Sequence, residues 1–259
     1  GAIPVIVAAT EEADFKITAE QLDAAITDKT KVFMLCSPHN PSGRIWKREE
    51  LLKLADICQK HNLYVISDEI HNDLVLEGEH IVFATLNEWT ANHTITCTAP
   101  SKTFNLASVI ASNIIIKDEA IREKVRALCA SCHCSSANCF VEPIVIGAYM
   151  ESAGWLDELL EYIKANRDYV CKFIKENIPE ITVHPMEGTY LAWLNCEKLG
   201  MHGDELKAFI SEKCGIAMNN GSFFGEKWDG YCRMNLACTH DTAKKACDML
   251  LKGISTLRK

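Results

Sequence analysis

Residues 65–73 read VISDEIHND. The run LYVIS (63–67) has the short, apolar, β-branched character of a buried strand, yet it ends at once in Asp68, Glu69 and His71. Such a tip is either an ordinary strand end running into solvent or a place where something cationic is held. The neighbouring segments bear on the choice. KVFMLC (31–36) is another strand-like run and leads into the turn-forming SPHNPSG. KREELLKLADICQKH (47–61) places Leu51, Leu52, Leu54, Ala55 and Cys58 near one helical face. TITCTA (94–99) and SNIIIK (112–117) follow as further strands. Strand, helix and strand at this spacing predict βαβ units with parallel strands and a right-handed crossover.

Beyond residue 117 the pattern changes. Residues 118–131 and 141–178 have helical character, with a break expected near Gly154 and Trp155. ITVHP, GTYLAWLN and YCRMNLAC then alternate as strands, separated by a helix around DELKAFISEKC and followed by a helix from about 241. The expected fold class is therefore α/β: a mostly parallel sheet with flanking helices over residues 1–150, then a smaller α+β domain over 151–259.

Composition narrows the function. A chain of 259 residues that is 48% hydrophobic can bury a sizeable core. A net charge of −8 without a dense Lys/Arg cluster argues against nucleic acid as a partner. No apolar run approaches the roughly 18 to 20 residues that span a bilayer. The opening GAIPVIVAAT lacks a basic start and does not read as a signal peptide. Thirteen cysteines, mostly in apolar settings, fit free thiols in a cytoplasmic protein. The cluster LCASCHCSSANC (Cys129, Cys132, His133, Cys134, Cys139) resembles half a zinc site, but no second pair follows at suitable spacing, and no metal is expected.

In open parallel sheets, ligands sit beyond the carboxyl ends of the strands. Three such ends carry polar groups: Asn40 after KVFMLC, Asp68 after LYVIS, and Lys102 past TITCTA. A lysine amine forms a Schiff base with an aldehyde, and a carboxylate keeps a pyridine nitrogen protonated. The cation at the strand tip would then be a pyridinium. CSPHNPSGRIW, ISDEIHNDL and TAPSKTFNLA, in this order, resemble successive motifs of the fold-type I pyridoxal-phosphate enzymes of aminotransferase class I/II. The closest likeness is to the cystathionine β-lyase-like (C–S lyase) branch, and EGTYLAWLNC and RMNLAC extend it over nearly the whole chain.

The resemblance implies roles. Lys102 is similar to the lysine that holds pyridoxal 5'-phosphate and moves the substrate Cα proton; its plainer alternative is a solvated surface lysine. Asp68 resembles the partner of the pyridine nitrogen, Asn40 the donor to the ring oxygen, and Ser101 a phosphate contact. Their alternatives are a strand cap, an Asn-Pro turn and a helix N-cap. Arg233 resembles the clamp on the substrate α-carboxylate, a bidentate task, where a surface salt bridge is the alternative. His71 stands where many relatives have tyrosine, a mark of the lyase branch, or it merely ends a strand. Ile110 stands where many relatives place a phosphate-binding arginine. Relatives also carry a long N-terminal portion, and because this sequence begins with Gly, a preceding segment is expected that supplies ring-stacking, phosphate and partner-subunit contacts. The implied activity is β-elimination from a sulfur amino acid by a homodimer, with amino-acid transamination as the alternative and a non-catalytic regulatory role as a third.

Overall fold

The computed structural model describes residues 2–134 and 137–258. The chain divides into two compact units, one of residues 1–38 and 45–153, the other of 39–44 and 154–259.

In the first unit the elements run α1 (Ala19–Ala25), β1 (Val32–Cys36), α2 (Arg48–Lys60), β2 (Tyr64–Asp68), α3 (Glu88–His93), β3 (Thr94–Thr98), α4 (Pro100–Thr103), β4 (Asn113–Ile116), α5 (Glu119–Ser131) and α6 (Val141–Glu151). The sheet order is β1-β2-β3-β4. β1, β2 and β3 are parallel, with Cys36 opposite Asp68 and Asp68 opposite Cys97. β4 runs antiparallel to β3, the one exception in a sheet otherwise parallel, as a mostly parallel sheet allows. The apolar run of SNIIIK marks a strand but not its direction, and the fourteen residues between Thr98 and Asn113 hold only short helical turns such as α4, not a crossover helix.

α2 forms because its apolar residues fall at helical spacing: Leu51, Leu54, Ala55 and Cys58 are all buried. Glu50 reaches back to the Lys47 amide at 3.0 Å to close the first turn, and Glu49 and Lys60 lie at the ends that the helix dipole favours. The buried face joins Leu35, Leu63, Val65 and Phe83 in one core cluster. That burial seats β2 on the core through Val65 and Ser67, the prerequisite for aiming a side chain from its tip.

The second unit contains α7 from its second residue onward (Ala153–Asn177), β5 (Thr182–Val183), β6 (Leu191–Asn195), α8 (Gly203–Ala208), β7 (Asn219–Asn220), β8 (Tyr231–Asn235) and α9 (His240–Ser255). Its sheet, in the order β5-β6-β8-β7, is antiparallel throughout. α9 packs through Ala243, Cys247, Leu250 and Ile254. On α7, Asn166 donates to the carbonyls of Leu236 and Cys238 at 3.0 and 2.8 Å, tying the helix to the end of β8. α6 and α7 meet at Ser152, just ahead of Gly154.

The strap 39–44 belongs to this unit. The amides of Glu187 and Gly188 both donate to the Gly43 carbonyl, at 3.0 and 2.8 Å. Gly43 has φ +72°, and a Cβ there would lie 2.6 Å from Met186 Cγ. Glycine is required on both counts.

Candidate active site

Asp68 is the last residue of β2 and Lys102 lies four residues past the last of β3. The two strands are parallel neighbours, so both side chains belong to one edge of the sheet. Asp68 Oδ1 accepts the Ile70 amide at 3.2 Å, so the carboxylate does cap the strand, with one oxygen. Among the described residues, Asp68 has no ion pair, and the Lys102 amine has neither an ion pair nor a hydrogen bond to another side chain. Neither Asp68 nor Lys102 is fully exposed. Ser101 is not the cap of α4: Ala99 holds that position and Pro100 begins the helix. His71 is buried, 2% exposed, in the turn that follows β2. Ile110 is 87% exposed and puts no charge at its position.

Glu69, next to Asp68, behaves differently. It is 1% exposed. Its Oε1 accepts from Ser67 Oγ at 2.8 Å and from the Phe83 amide at 3.1 Å, and Oε2 lies 2.8 Å from His80 Nε2. Three partners drawn from residues 67–83 make it the anchor of the loop after β2. Two acids in a row gave no means of telling which was anchored. The charges of Asp68 and Glu69, after burial itself, raise the pKa of the Cys97 thiol on the adjoining strand.

The second unit holds Asn40 and Arg233 together. Arg233 Nη1 donates to Asn40 Oδ1 at 2.9 Å and Nη2 to Asn219 Oδ1 at 2.8 Å. The guanidinium lies 4.9 Å from the centre of the Phe224 ring, and its Nε is buried without a hydrogen-bond partner among the described residues. Burial lowers the Arg233 pKa. No carboxylate pairs with it among the described residues, which removes the surface salt bridge as its explanation. Asn219 and Phe224 were not singled out in the sequence; only the resemblance carried by RMNLAC pointed at their neighbour Arg233.

His39 opens the strap, with Nδ1 2.8 Å from Ser42 Oγ. Burial first, then the charge of Arg44, then His184 depress its pKa to about 4. The thirteen cysteines are free thiols. Among the described residues no cluster of His, Cys, Asp and Glu could hold a metal ion, and no helix is long and apolar enough to cross a membrane.

An α/β unit with a lysine and an acid at one sheet edge, and an α+β unit presenting an unneutralised arginine, define the class. Residues 1–250 match the family model for aminotransferase class I and II, and the chain belongs to that family. It is 37% identical over 243 residues to the cystathionine beta-lyase PatB of Bacillus subtilis, covering 93% of this chain and 63% of the relative. It is 32% identical over 232 residues to the protein MalY of Escherichia coli, covering 88% and 58%. Cystalysin of Treponema denticola, whose crystal structure contains pyridoxal 5'-phosphate, superposes with a TM-score of 0.88 at 38% identity, covering 94% of this chain and 62% of that one. The chain thus spans about six-tenths of the length of the curated relatives it matches.

Proposed function

We propose that the protein is a pyridoxal-phosphate-dependent carbon–sulfur lyase, acting on cystathionine or a cysteine-type amino acid to release a thiol, pyruvate and ammonia. The observation that carries the reading is the pair of charges at one sheet edge. Asp68 keeps a carboxylate oxygen, and Lys102 an amine, that no other charged side chain claims among the described residues. An uncommitted amine at the same sheet edge as a half-buried, unpaired acid is the donor set that an aldehyde-bearing pyridine needs, so the residues fit the cofactor. Lys102 Nζ would hold it covalently, Asp68 would hold the proton of its ring nitrogen, and Ser101 would donate to its phosphate. Asn40, whose Oδ1 already accepts from Arg233, would donate from Nδ2 to the ring oxygen. His71 would lie beside the same ring. Bound there, the cofactor supplies an electron sink for the pair left at the substrate Cα.

The remaining work falls to the chain's own groups. Arg233 grips the substrate α-carboxylate, an anion that would satisfy its orphaned Nε and neutralise a guanidinium whose terminal nitrogens now meet only amides. Lys102 Nζ takes the Cα proton and returns a proton to the sulfur as the C–S bond breaks. The similarity to a cystathionine beta-lyase favours elimination; transamination, the alternative that the family name carries, shares every step through proton removal. Assaying pyruvate and thiol release from cystathionine beside a keto-acid-dependent half-reaction separates them. Thiol without pyruvate, or amino-group transfer alone, would reject the lyase reading.

The proposal extends to a cytoplasmic homodimer. Thirteen cysteines kept as thiols suit a reducing compartment. Phe140, Ile146 and Met150 expose apolar surface in and before α6 that a second copy would cover.

A further inference from the structure

The turn that carries Lys102 cannot hold itself in place. α4 is four residues long, and its N-cap, Ala99, makes no side-chain hydrogen bond. A single helical turn is far below the length that is stable alone, so its orientation has to come from outside.

It comes from Asp73. Thr103, the residue after Lys102, is 1% exposed and donates through Oγ1 to Asp73 Oδ2 at 2.8 Å. Asp73 Oδ1 accepts from Asn72 Nδ2 at 3.0 Å, and the phenol of Tyr149 on α6 lies near enough to the same carboxylate to feel its charge. Tyr149 in turn meets Phe104, which caps α4, edge to face at 5.2 Å between ring centres. The contacts close a ring: Asp73 to Thr103, along the backbone to Phe104, across to Tyr149 and back to Asp73. Burial, and then the charge of Asp73, push the Tyr149 phenol up to about 12, so it stays protonated throughout the physiological range. One end of the ring is anchored in the turn after β2, where the Asn72 amide donates to the Glu69 carbonyl at 3.0 Å.

We propose that Asp73 is a positioning residue that fixes the direction of the Lys102 amine by clamping α4 through Thr103 and Tyr149. The inference rests on the reading of Lys102 given above. Asp73 does not touch the amine; it acts by denying the turn its freedom, and a misplacement of about 1 Å at a reacting group costs on the order of a hundredfold.

The test measures the amine rather than turnover. The protein is exposed to pyridoxal phosphate, reduced with borohydride, and the label mapped by peptide mass, with the exposed Lys53 as internal reference. Asp73→Asn and Thr103→Val should each lower the rate of labelling at Lys102 by about tenfold, leaving Lys53 unchanged. Thr103→Ser, which restores the hydroxyl, should return it to the wild-type rate. In Asp73→Asn, the Tyr149 phenol should titrate below about 12. Tyr149→Phe, at a partly exposed ring, covers the case in which Asp73→Asn does not fold, and should give a smaller drop in the same direction. Wild-type labelling at Lys102 in Thr103→Val and Tyr149→Phe would overturn the inference while sparing the function. Failure of the wild-type protein to label at Lys102 would overturn the functional reading, and this inference with it.

Discussion

The loop after β2 and the middle of β8 each withdraw a charge from water, and they complete it to different degrees. Glu69 has an acceptor site for each of three donors around it: Ser67, Phe83 and His80. Arg233 is half-buried against Phe224, its two terminal nitrogens held by neutral amides and its Nε by nothing among the described residues. Desolvating a charge is costly unless partners replace the water. At Glu69 the folded chain supplies them all, which is the signature of architecture. At Arg233 it stops one anion short, which is the signature of a binding group. Asp68 and Lys102 share the second condition, and so the proposed chemistry gathers where electrostatic partners are incomplete.

That contrast can be broken by substitution. The largest effect is expected at Lys102: Lys102→Ala should bring lyase turnover to background with the fold retained, checked by pyruvate release and circular dichroism. Persistent turnover would mean that the unclaimed amine has no chemical role. Next, Glu69→Ala should leave the Phe83 amide and the His80 and Ser67 side chains without their acceptor, at about 3 kcal/mol or more in unfolding free energy. Chemical denaturation reads this directly, and a neutral result would erase the distinction between the two regions. Arg233→Lys replaces a fork with a point charge, so KM for the amino acid should rise about tenfold or more while the unfolding midpoint holds. A loss of stability with KM unchanged would instead make Arg233 architectural as well.

The smallest effect concerns pH. His39 titrates lower in the folded chain, at about 4, than the 6.5 of an unhindered imidazole. The unfolded state therefore binds the extra proton between these values, and stability is full above about 6.5 and declines as pH falls toward 4. Between pH 7 and 5.5 the decline is about 1 kcal/mol. Urea midpoints across that range should slope less in His39→Gln, and an identical slope would assign the acid sensitivity elsewhere.

Much of this was legible in residue order. The runs that became β1, β2 and β3 and the α2 face declared themselves through burial periodicity, and Asp68 and Lys102 followed from the strand ends. What escaped was information that a linear pattern does not carry. SNIIIK announced a strand but not its direction. SPHNPSG announced a turn, yet nothing in it revealed that residues 39–44 pack with a unit starting at Gly154; the carbonyl of Gly43 finds its two amide donors at Glu187 and Gly188. Arg233 was visible through its resemblance to a carboxylate clamp, but Asn219 and Phe224, which make its surroundings, were not. Asp73 and Thr103 lie 30 positions apart, and neither has a feature that marks it before the chain is folded.

The strap 39–44 has a consequence for how this molecule can be taken apart. The polypeptide passes between the two units at Pro38–His39, at Arg44–Ile45 and again at Ala153–Gly154. No single scission separates them into complete modules. A fragment beginning at Gly154 would lack the backbone that Glu187 and Gly188 bind, and would leave Arg233 without Asn40. The first unit, cut free, would carry six residues whose partners had departed. Recombination between related genes at a point near Ala153 would therefore mate each second unit with a strap inherited from the other parent. Hybrids of that kind should tolerate divergence in the strands well, and divergence around Gly43 and Met186 poorly.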